Sequence, residues 1–302
     1  MAKSRGRGRK KPRQKGFYWL RLPNPEALRV ADAKASDLRA FLAAYQAAME
    51  SQRIEHGDVL ARSLLEACRP FDFTHWQRNV SSKYSLRPLS SRGSAIHGIG
   101  GRFNVGNIDP DRHPPFPALY LAVDQDTALQ EALGDIQPKR GLTFRELALK
   151  RTDSYAMYSL SGSVESVLDV TRWDALKPFL EIIKSFRAPD EIALWAKRRG
   201  HPILRVVQSI EELEQSIMEP NWRRYVSALG IVTASQQFGR EARAAGIEAI
   251  RYLSVKSHKP CLAVFPENLA HSDSYVELDD PTPEEYPDLI RRLDRKSWPR
   301  LI

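Results

Sequence analysis

The sequence predicts an α+β protein, because helical and strand-like patterns follow one another irregularly along its 302 residues. Apolar residues at helical spacing predict helices over residues 25–50 and 57–68. Short apolar runs predict strands at 118–123, 247–254 and 261–265. The strands are spaced too irregularly for a doubly wound parallel sheet, so we expect an α+β architecture with a helical N-terminal region.

The first residues of the chain carry most of its excess charge. The net charge is +9, and residues 1–16 contain eight Lys and Arg residues and no acid, so the remaining 38 basic and 37 acidic residues nearly balance. Such a segment cannot bury apolar surface, which predicts a disordered basic tail over 1–16. The tail either binds nucleic acid through its phosphates or serves as a solubilising terminus. A helical N-terminal region over 17–75 follows it.

The middle and the end of the chain predict further elements. Residues 70–117 are rich in Ser, Gly and Pro and predict loops. The string "DQDTALQEALGD", directly after the strand at 118–123, predicts a helix. An alternating stretch at 154–170, with Ser161-Gly162 between its halves, predicts strand, turn and strand. More helices are predicted at 172–185, 188–200, 209–219, 231–245 and near the end of the chain, with a strand at 202–207.

Several classes of protein are disfavoured by simple counts. The two cysteines, Cys68 and Cys261, make neither a disulfide framework nor a CxxC motif, and predict two buried thiols. None of the seven histidines forms an HExxH or i, i+4 pair, so no metal site is predicted. No apolar run is long enough to span a membrane and no signal peptide is visible. We therefore expect a cytoplasmic protein without a membrane partner.

The glycine-rich string "HGIGGRFNVG" at 97–106 suggests a phosphate-binding loop but fits no standard one. It lacks the lysine of a P-loop, and Phe103 replaces the third glycine of a Rossmann fingerprint. Its glycines still allow close approach of a ligand to the backbone. Arg102 offers bidentate donors to phosphate, and Asn104 offers a donor and an acceptor. The alternative is a glycine turn in which Arg102 makes a structural ion pair.

Three strings together resemble the RES domain family: "GIGGRFNVG" at 98–106, "ALYLAVDQDTALQEAL" at 118–133 and "GIEAIRYLSVKSHKPCLAVF" at 246–265. On this resemblance Arg102, Glu131 and Ser254 are the arginine, glutamate and serine that give the family its name. Tyr120 matches the tyrosine eleven positions before the glutamate. Leu253 departs from the pattern, since the family often has proline there.

The resemblance implies a domain organisation and a fold. The RES domain would span 76–270 with an inserted segment around 172–230, and 271–302 would be a C-terminal extension. The implied fold is an ADP-ribosyltransferase-like split mixed β-sheet with surrounding helices. It would enclose a cleft for NAD+, which is the substrate rather than a bound cofactor.

The resemblance also implies an activity. It implies a toxin that consumes NAD+ by cleaving its nicotinamide–ribose bond, by hydrolysis or phosphorolysis, since many RES proteins are toxins that pair with a helix-turn-helix antitoxin. The alternative is a mono-ADP-ribosyltransferase that modifies a protein or nucleic acid, and the acceptor stays open between water, phosphate and a macromolecule. The hypothesis of a non-enzymatic protein that binds nucleic acid through its basic tail ranks last, because it does not explain why the three strings are present.

The chemistry of this bond is compatible with one carboxylate. Ordinary glycosidases need a second one to protonate the leaving group, but nicotinamide leaves NAD+ as a neutral molecule without a proton. Glu131 would stabilise positive charge at C1 of the ribose or bind its hydroxyls, unless it is a solvated surface acid. Arg102 would hold the pyrophosphate or a ribose, Tyr120 would stack on a ring or donate its hydroxyl, and Ser254 would bind a phosphate or the carboxamide. Further substrate contacts are predicted for Phe103, Asn104 and Lys256.

Overall fold

The computed structural model describes residues 25–96, 98–133, 155–202, 204–281 and 284–302. The predicted basic tail at 1–16 and His97 at the start of the glycine-rich string lie outside these residues. The described chain is an α+β protein with a mixed sheet and a helical N-terminal region, which confirms the predicted class. Its helices, so far as they are described, are too short or too polar to cross a membrane.

The helices begin with the two that the sequence predicted in the N-terminal region, α1 (Pro25–Glu55) and α2 (Gly57–Glu66). Seven more helices follow among the described residues: α3 (Arg92–Ile96), α4 (Gln125–Leu133), α5 (Lys177–Ile183), α6 (Asp190–Arg199), α7 (Ile210–Ile217), α8 (Trp222–Leu229) and α9 (Ala234–Ala244). Helix α9 starts with a capping box between Thr233 and Gln236, which satisfies backbone groups at its first turn.

The strands form one large sheet and one small ribbon. They are β1 (Arg69–Ser81), β2 (Gly100–Gly101), β3 (Asn104–Val105), β4 (Leu119–Ala122), β5 (Tyr155–Asp169), β6 (Ala249–Leu253), β7 (Pro260–Val264), β8 (Tyr275–Leu278) and β9 (Arg292–Leu293). The large sheet has the order β1-β4-β7-β6-β5-β8-β9, and β2 pairs with β3 alone. Strand β5 runs parallel to β6, and the other pairs are antiparallel. Because β1 pairs with both β4 and β5, five strands close on themselves.

Strand β1 lies where the sequence predicted loops, and that prediction is wrong for its residues. A β-bulge explains the error. The pairing with β5 shifts between Phe73 and Trp76, and His75 adopts a φ of +57°. The extra residues break the alternation of apolar side chains, so no single period of two runs along the strand. The sequence pattern therefore hides a strand of 13 residues.

Strand β5 corrects a second prediction, because Ser161-Gly162 is not a turn. The strand continues through both residues and pairs there with β8, while Gly162 also pairs with Phe73 of β1. A Cβ at Gly162 would lie 2.8 Å from the Phe73 ring and 2.4 Å from the Tyr275 carbonyl oxygen. The glycine is needed for close packing inside the sheet rather than for a reversal of the chain.

Two smaller predictions also fail. Residues 202 and 204–207 form no strand, and the helix expected near the end of the chain is replaced by β8, β9 and a short 3-10 turn at Trp298–Arg300. Strands β8 and β9, which lie in the predicted C-terminal extension at 271–302, thus extend the same sheet. Strand β8 pairs with β5, a partner distant in sequence, which local patterns do not contain.

The sheet separates two apolar cores. Along β6 and β7 alternate residues face opposite sides, so Ile250 and Ala263 pack among the helices while Ala249 and Leu262 pack in the second core. Cys261 belongs to the helical side and is buried, as predicted, whereas Cys68 is only half-buried; both are free thiols. The helical face of β6 and β7 continues into the cleft described next.

Candidate active site

The glycine-rich loop is held closed by one tyrosine. Strands β2 and β3 form a short hairpin, and the Tyr120 hydroxyl lies beneath it. This hydroxyl accepts a hydrogen bond from the Phe103 amide at 3.0 Å and donates one to Asn104 Oδ1 at 2.9 Å. A Cβ at Gly101 would stand 2.3 Å from the same hydroxyl, so only glycine allows this approach. Burial raises the pKa of Tyr120 far above its usual value, which keeps the phenol neutral.

Phe103 and Asn104 do not have the placement that was predicted for them. Both side chains are fully buried. The Phe103 ring packs edge-on against Tyr252, with 4.9 Å between ring centroids. Asn104 Nδ2 donates to the carbonyls of Ser94 and Phe116 at 3.0 and 2.9 Å. The expected substrate contacts do not fit this burial, and the two residues instead build the loop from inside.

Arg102 is buried against the C-terminal end of α7 and the turn that follows it. Its side chain is 5% exposed, and its Nη1 donates to the carbonyl oxygens of Ile217 at 3.2 Å and Glu219 at 3.1 Å. Burial lowers the pKa of Arg102, while the nearby Tyr252 and Glu131 act to raise it. An arginine remains a cation under these conditions. Among the described residues, the hydrogen-bond acceptors of Arg102 are backbone carbonyls and no carboxylate forms an ion pair with it, unlike the alternative of a structural ion pair.

Glu131 and Ser254 meet, although 123 positions separate them in sequence. Helix α4 carries Glu131 to the cleft directly after β4, and the turn between them is fixed by the Thr127 amide, which donates to Asp124 Oδ1 at 2.8 Å. Ser254 is fully buried at the end of β6, and its hydroxyl donates to Glu131 Oε1 at 2.5 Å. The side chain of Glu131 is half-buried, so it is not the solvated surface acid of the alternative reading.

The loop after β6 holds this pair in place. The amides of Lys256 and Ser257 both donate to the Ser254 hydroxyl at 3.2 Å. The Lys256 ammonium donates to the Gln130 carbonyl oxygen at 3.1 Å, near the C-terminal end of α4, where a cation is favourable. Lys256 therefore ties the loop to the helix of Glu131, and a phosphate contact predicted for it competes with that bond.

A cleft of about 700 Å³ connects these elements. Arg102, Tyr120 and Glu131 line it, together with Tyr252 and Cys261 of the sheet. The volume is in the range of small-molecule sites, about 300–1,000 Å³. Among the described residues that line the cleft, Glu131 is the one acid, and the cations are Arg78, Lys83, Arg87, Arg92, Arg102 and Arg223. The cleft therefore combines one carboxylate with a strongly positive surface.

Four arginines among the described lining residues of the cleft were not predicted from the sequence, and two of them, Arg78 and Arg223, donate hydrogen bonds to its backbone. Arg78 donates to the carbonyl oxygens of Pro88, Ser90 and Tyr120, and burial lowers its pKa to about 10. Arg223 comes from α8 with its neighbour Trp222. A signal for the second was present, because "NWRRY" at 221–225 places basic residues between aromatic ones, which is typical of anion-binding surfaces.

Metal-binding side chains do not gather in the part of the chain that the structure describes: no three His, Cys, Asp or Glu residues there are arranged to hold an ion.

Comparison with known proteins identifies the family. The RES domain model matches residues 75–286, more than half of the chain. A search of the curated proteins finds no match. Among solved structures, a chain of the M. tuberculosis MbcT–MbcA toxin–antitoxin complex aligns with 81% of this chain and 97% of its own, at 13% identity and a TM-score of 0.38. That structural likeness is too low to support an argument about function. The match over 75–286 is sufficient by itself, and the chain belongs to the RES domain family.

Proposed function

We propose that this protein is a RES-family toxin that cleaves the nicotinamide–ribose bond of NAD+ in the cytoplasm. The observation that carries the proposal is Glu131, a half-buried carboxylate fixed by Ser254 in an otherwise cationic cleft. The positive surface suits the pyrophosphate of NAD+, and the volume suits a dinucleotide.

In this proposal Glu131 has the main catalytic role in cleavage of the nicotinamide–ribose bond. As the C–N bond breaks, its electron pair leaves with the nicotinamide nitrogen, and positive charge spreads over C1 and the ring oxygen of the ribose. A fixed carboxylate next to this charge stabilises the transition state without having to reorganise. Ser254 restricts the rotation of that carboxylate by donating to one of its oxygens, so the other oxygen remains for the ribose. In this proposal Ser254 is a positioning residue and Glu131 is the catalytic one.

Tyr120 and Arg102 are proposed to shape the substrate site rather than to transfer a proton. Both line the cleft, yet their polar groups are engaged by the loop and by the carbonyls of Ile217 and Glu219. The edge of the Tyr120 ring and the unpaired part of the Arg102 guanidinium are the surfaces left to a ligand.

An antitoxin partner is part of the proposal. Tyr84, Leu86 and Ile96 are large apolar residues near the cleft, and each is at least 39% exposed. Tyr84 and Ile96 line the cleft itself. A protein that covers this apolar rim would block access of NAD+ to Glu131, which fits the neutralisation that the family resemblance implies.

The test is release of nicotinamide from NAD+ by the purified protein, with and without inorganic phosphate. We expect wild-type turnover, and a loss of about a thousandfold in kcat for Glu131→Gln, which keeps the size and the Ser254 hydrogen bond but removes the charge. Asp126→Asn is the matched control, since it removes an exposed carboxylate from the same helix and should change the rate less than about twofold. Intact NAD+ with the wild-type protein contradicts the proposal. Label from NAD+ on a protein or nucleic acid instead of free ADP-ribose indicates the ADP-ribosyltransferase alternative.

A further inference from the structure

We propose that Arg223 and Trp222 of helix α8 form a binding site for a phosphate group beside Glu131. The inference rests on the proposed cleavage of NAD+ for its biological meaning, but the binding itself can be measured without turnover. It gives a role to a segment, 217–223, to which the RES resemblance assigned none.

The other inner arginines of the cleft already have partners. Arg78 uses Nε, Nη1 and Nη2 on three carbonyl oxygens, with distances from 2.7 to 3.1 Å. Arg102 divides Nη1 between two carbonyls and is 5% exposed. Both guanidinium groups hold the backbone around the cleft, and neither has its full set of donors available to an anion.

Arg223 differs from them in its hydrogen bonds and in its exposure. It is half-buried, lines the cleft, and its Nη2 lies 3.4 Å from the Glu131 carbonyl oxygen, a long contact. A guanidinium has five N–H donors, so among the described residues this contact leaves most of the fork for a ligand. The contact also places the positive charge of Arg223 directly next to the residue proposed to act on the ribose.

The guanidinium groups of Arg102 and Arg223 both lie near the ring of Trp222. The ring is 4% exposed, with the guanidinium carbon of Arg223 at 5.1 Å and that of Arg102 at 5.8 Å from its centre. Attraction of a cation to an aromatic face partly offsets the repulsion between the two cations. Their mutual repulsion is still felt, since Arg223 contributes to the lowered pKa of Arg102.

The local charge therefore favours an added oxyanion. Arg102 and Arg223 line the cleft with Glu131, which is the one acid among its described lining residues, and further cations lie along the same cleft at Lys83, Arg87 and Arg92. The planar fork of an arginine matches the spacing of two phosphate oxygens, which a lysine or an amide does not match as well. A phosphate group is the ligand whose charge and geometry fit this arrangement.

Two ligands present the same phosphate oxyanion to this site. It is either the pyrophosphate of NAD+ or free inorganic phosphate acting as the acceptor. In the second case a phosphate oxygen forms a bond to C1 of the ribose while the C–N bond breaks and its electron pair leaves on neutral nicotinamide. The products are nicotinamide and ADP-ribose 1″-phosphate, and no further reactant is needed.

The experiment compares Arg223→Met with Arg224→Met. Methionine keeps an unbranched apolar stem over Trp222 and removes the charge. Arg224 is the next residue of the same helix, is exposed and does not line the cleft, so its variant is the matched control for charge. Binding of ADP-ribose and of inorganic phosphate is measured by calorimetry for the wild type and both variants, and thermal unfolding confirms that each is folded.

Weaker binding by Arg223→Met alone, by about tenfold, supports the site. Loss for ADP-ribose with unchanged phosphate binding assigns the pyrophosphate, and loss for phosphate with a raised phosphate KM assigns the acceptor. Equal binding by both variants overturns the inference, as does a wild-type protein that binds neither probe. If the wild type binds a probe through Arg223 but releases no nicotinamide, the proposed function fails and the phosphate site stands.

Discussion

The glycine-rich loop at 98–106 and the segment 217–223 border the same cleft, but they differ in where their polar groups point. At the loop, the side chain of Asn104 and the hydroxyl of Tyr120 from β4 are satisfied by neighbouring backbone groups and by each other. In the segment, carbonyls hold Arg102 while Arg223 stays half-buried on the cleft. The difference teaches that a recognisable motif can be mostly scaffold, and that a segment without one can supply a ligand contact. Substitutions in the loop should therefore mainly lower the stability of the fold. Substitutions at Glu131 and Arg223 should mainly lower activity and ligand binding.

The largest effect on stability is expected from Gly239→Ala. Gly239 of α9 packs on the backbone of the loop, and a Cβ there would lie 2.1 Å from the Phe103 carbonyl oxygen. Because both sides of this contact are backbone, the loop or the helix must shift, at a cost of about 3 kcal/mol in the free energy of unfolding. Urea unfolding measures it.

Gly57→Ala is the matched control for that substitution. Gly57 begins α2, and a Cβ there meets no atom within 4 Å. We expect a change of no more than about 1 kcal/mol, in the stabilising direction, because alanine restricts the unfolded chain. Equal losses from the two substitutions would show that the loop is not the rigid element described here.

A smaller effect is expected from Tyr120→Phe. The change removes the acceptor of the Phe103 amide and one donor to Asn104, both in a buried region, which costs about 1–3 kcal/mol. Thermal and urea unfolding measure the loss, with Tyr286→Phe at an exposed position as the control. Unchanged stability together with a large fall in kcat would mean that the hydroxyl acts on the substrate rather than on the loop.

A selective change in rate is expected from Ser254→Ala, together with a loss of about 1–3 kcal/mol in stability, because the amides of Lys256 and Ser257 lose their buried acceptor. The free carboxylate of Glu131 keeps its charge but loses its fixed orientation, so kcat should fall about tenfold while KM for NAD+ stays within about twofold. Ser254→Thr, which keeps the hydroxyl, should recover part of the rate, and Ser185→Ala at an exposed site should change nothing. A rise in KM with an unchanged kcat would place Ser254 in contact with the substrate.

Several parts of the fold were predictable because their signals are local. The periodicity of α1, α2, α4, α5, α6, α7 and α9, and the apolar runs of β4, β6 and β7, lie within single windows of sequence. Helix α8 (Trp222–Leu229) was not predicted. Strand β1 was missed because its bulge at Phe73–Trp76 interrupts the alternation. Gly162 was misread as a turn because the Phe73 ring that requires it comes from another strand.

The sequence by itself determined the family and the α+β class. It also determined the three strings that contain Arg102, Tyr120, Glu131 and Ser254, since these depend on residue identity and order. Only the tertiary structure decided what each residue can reach. It buried Phe103 and Asn104, turned Arg102 toward the carbonyls of 217 and 219, and placed Arg223 beside Glu131, across 92 positions of sequence. The physical reason is that hydrogen bonding and burial are satisfied between segments distant in the chain, so the free groups of a site are those that remain after the fold has used the others.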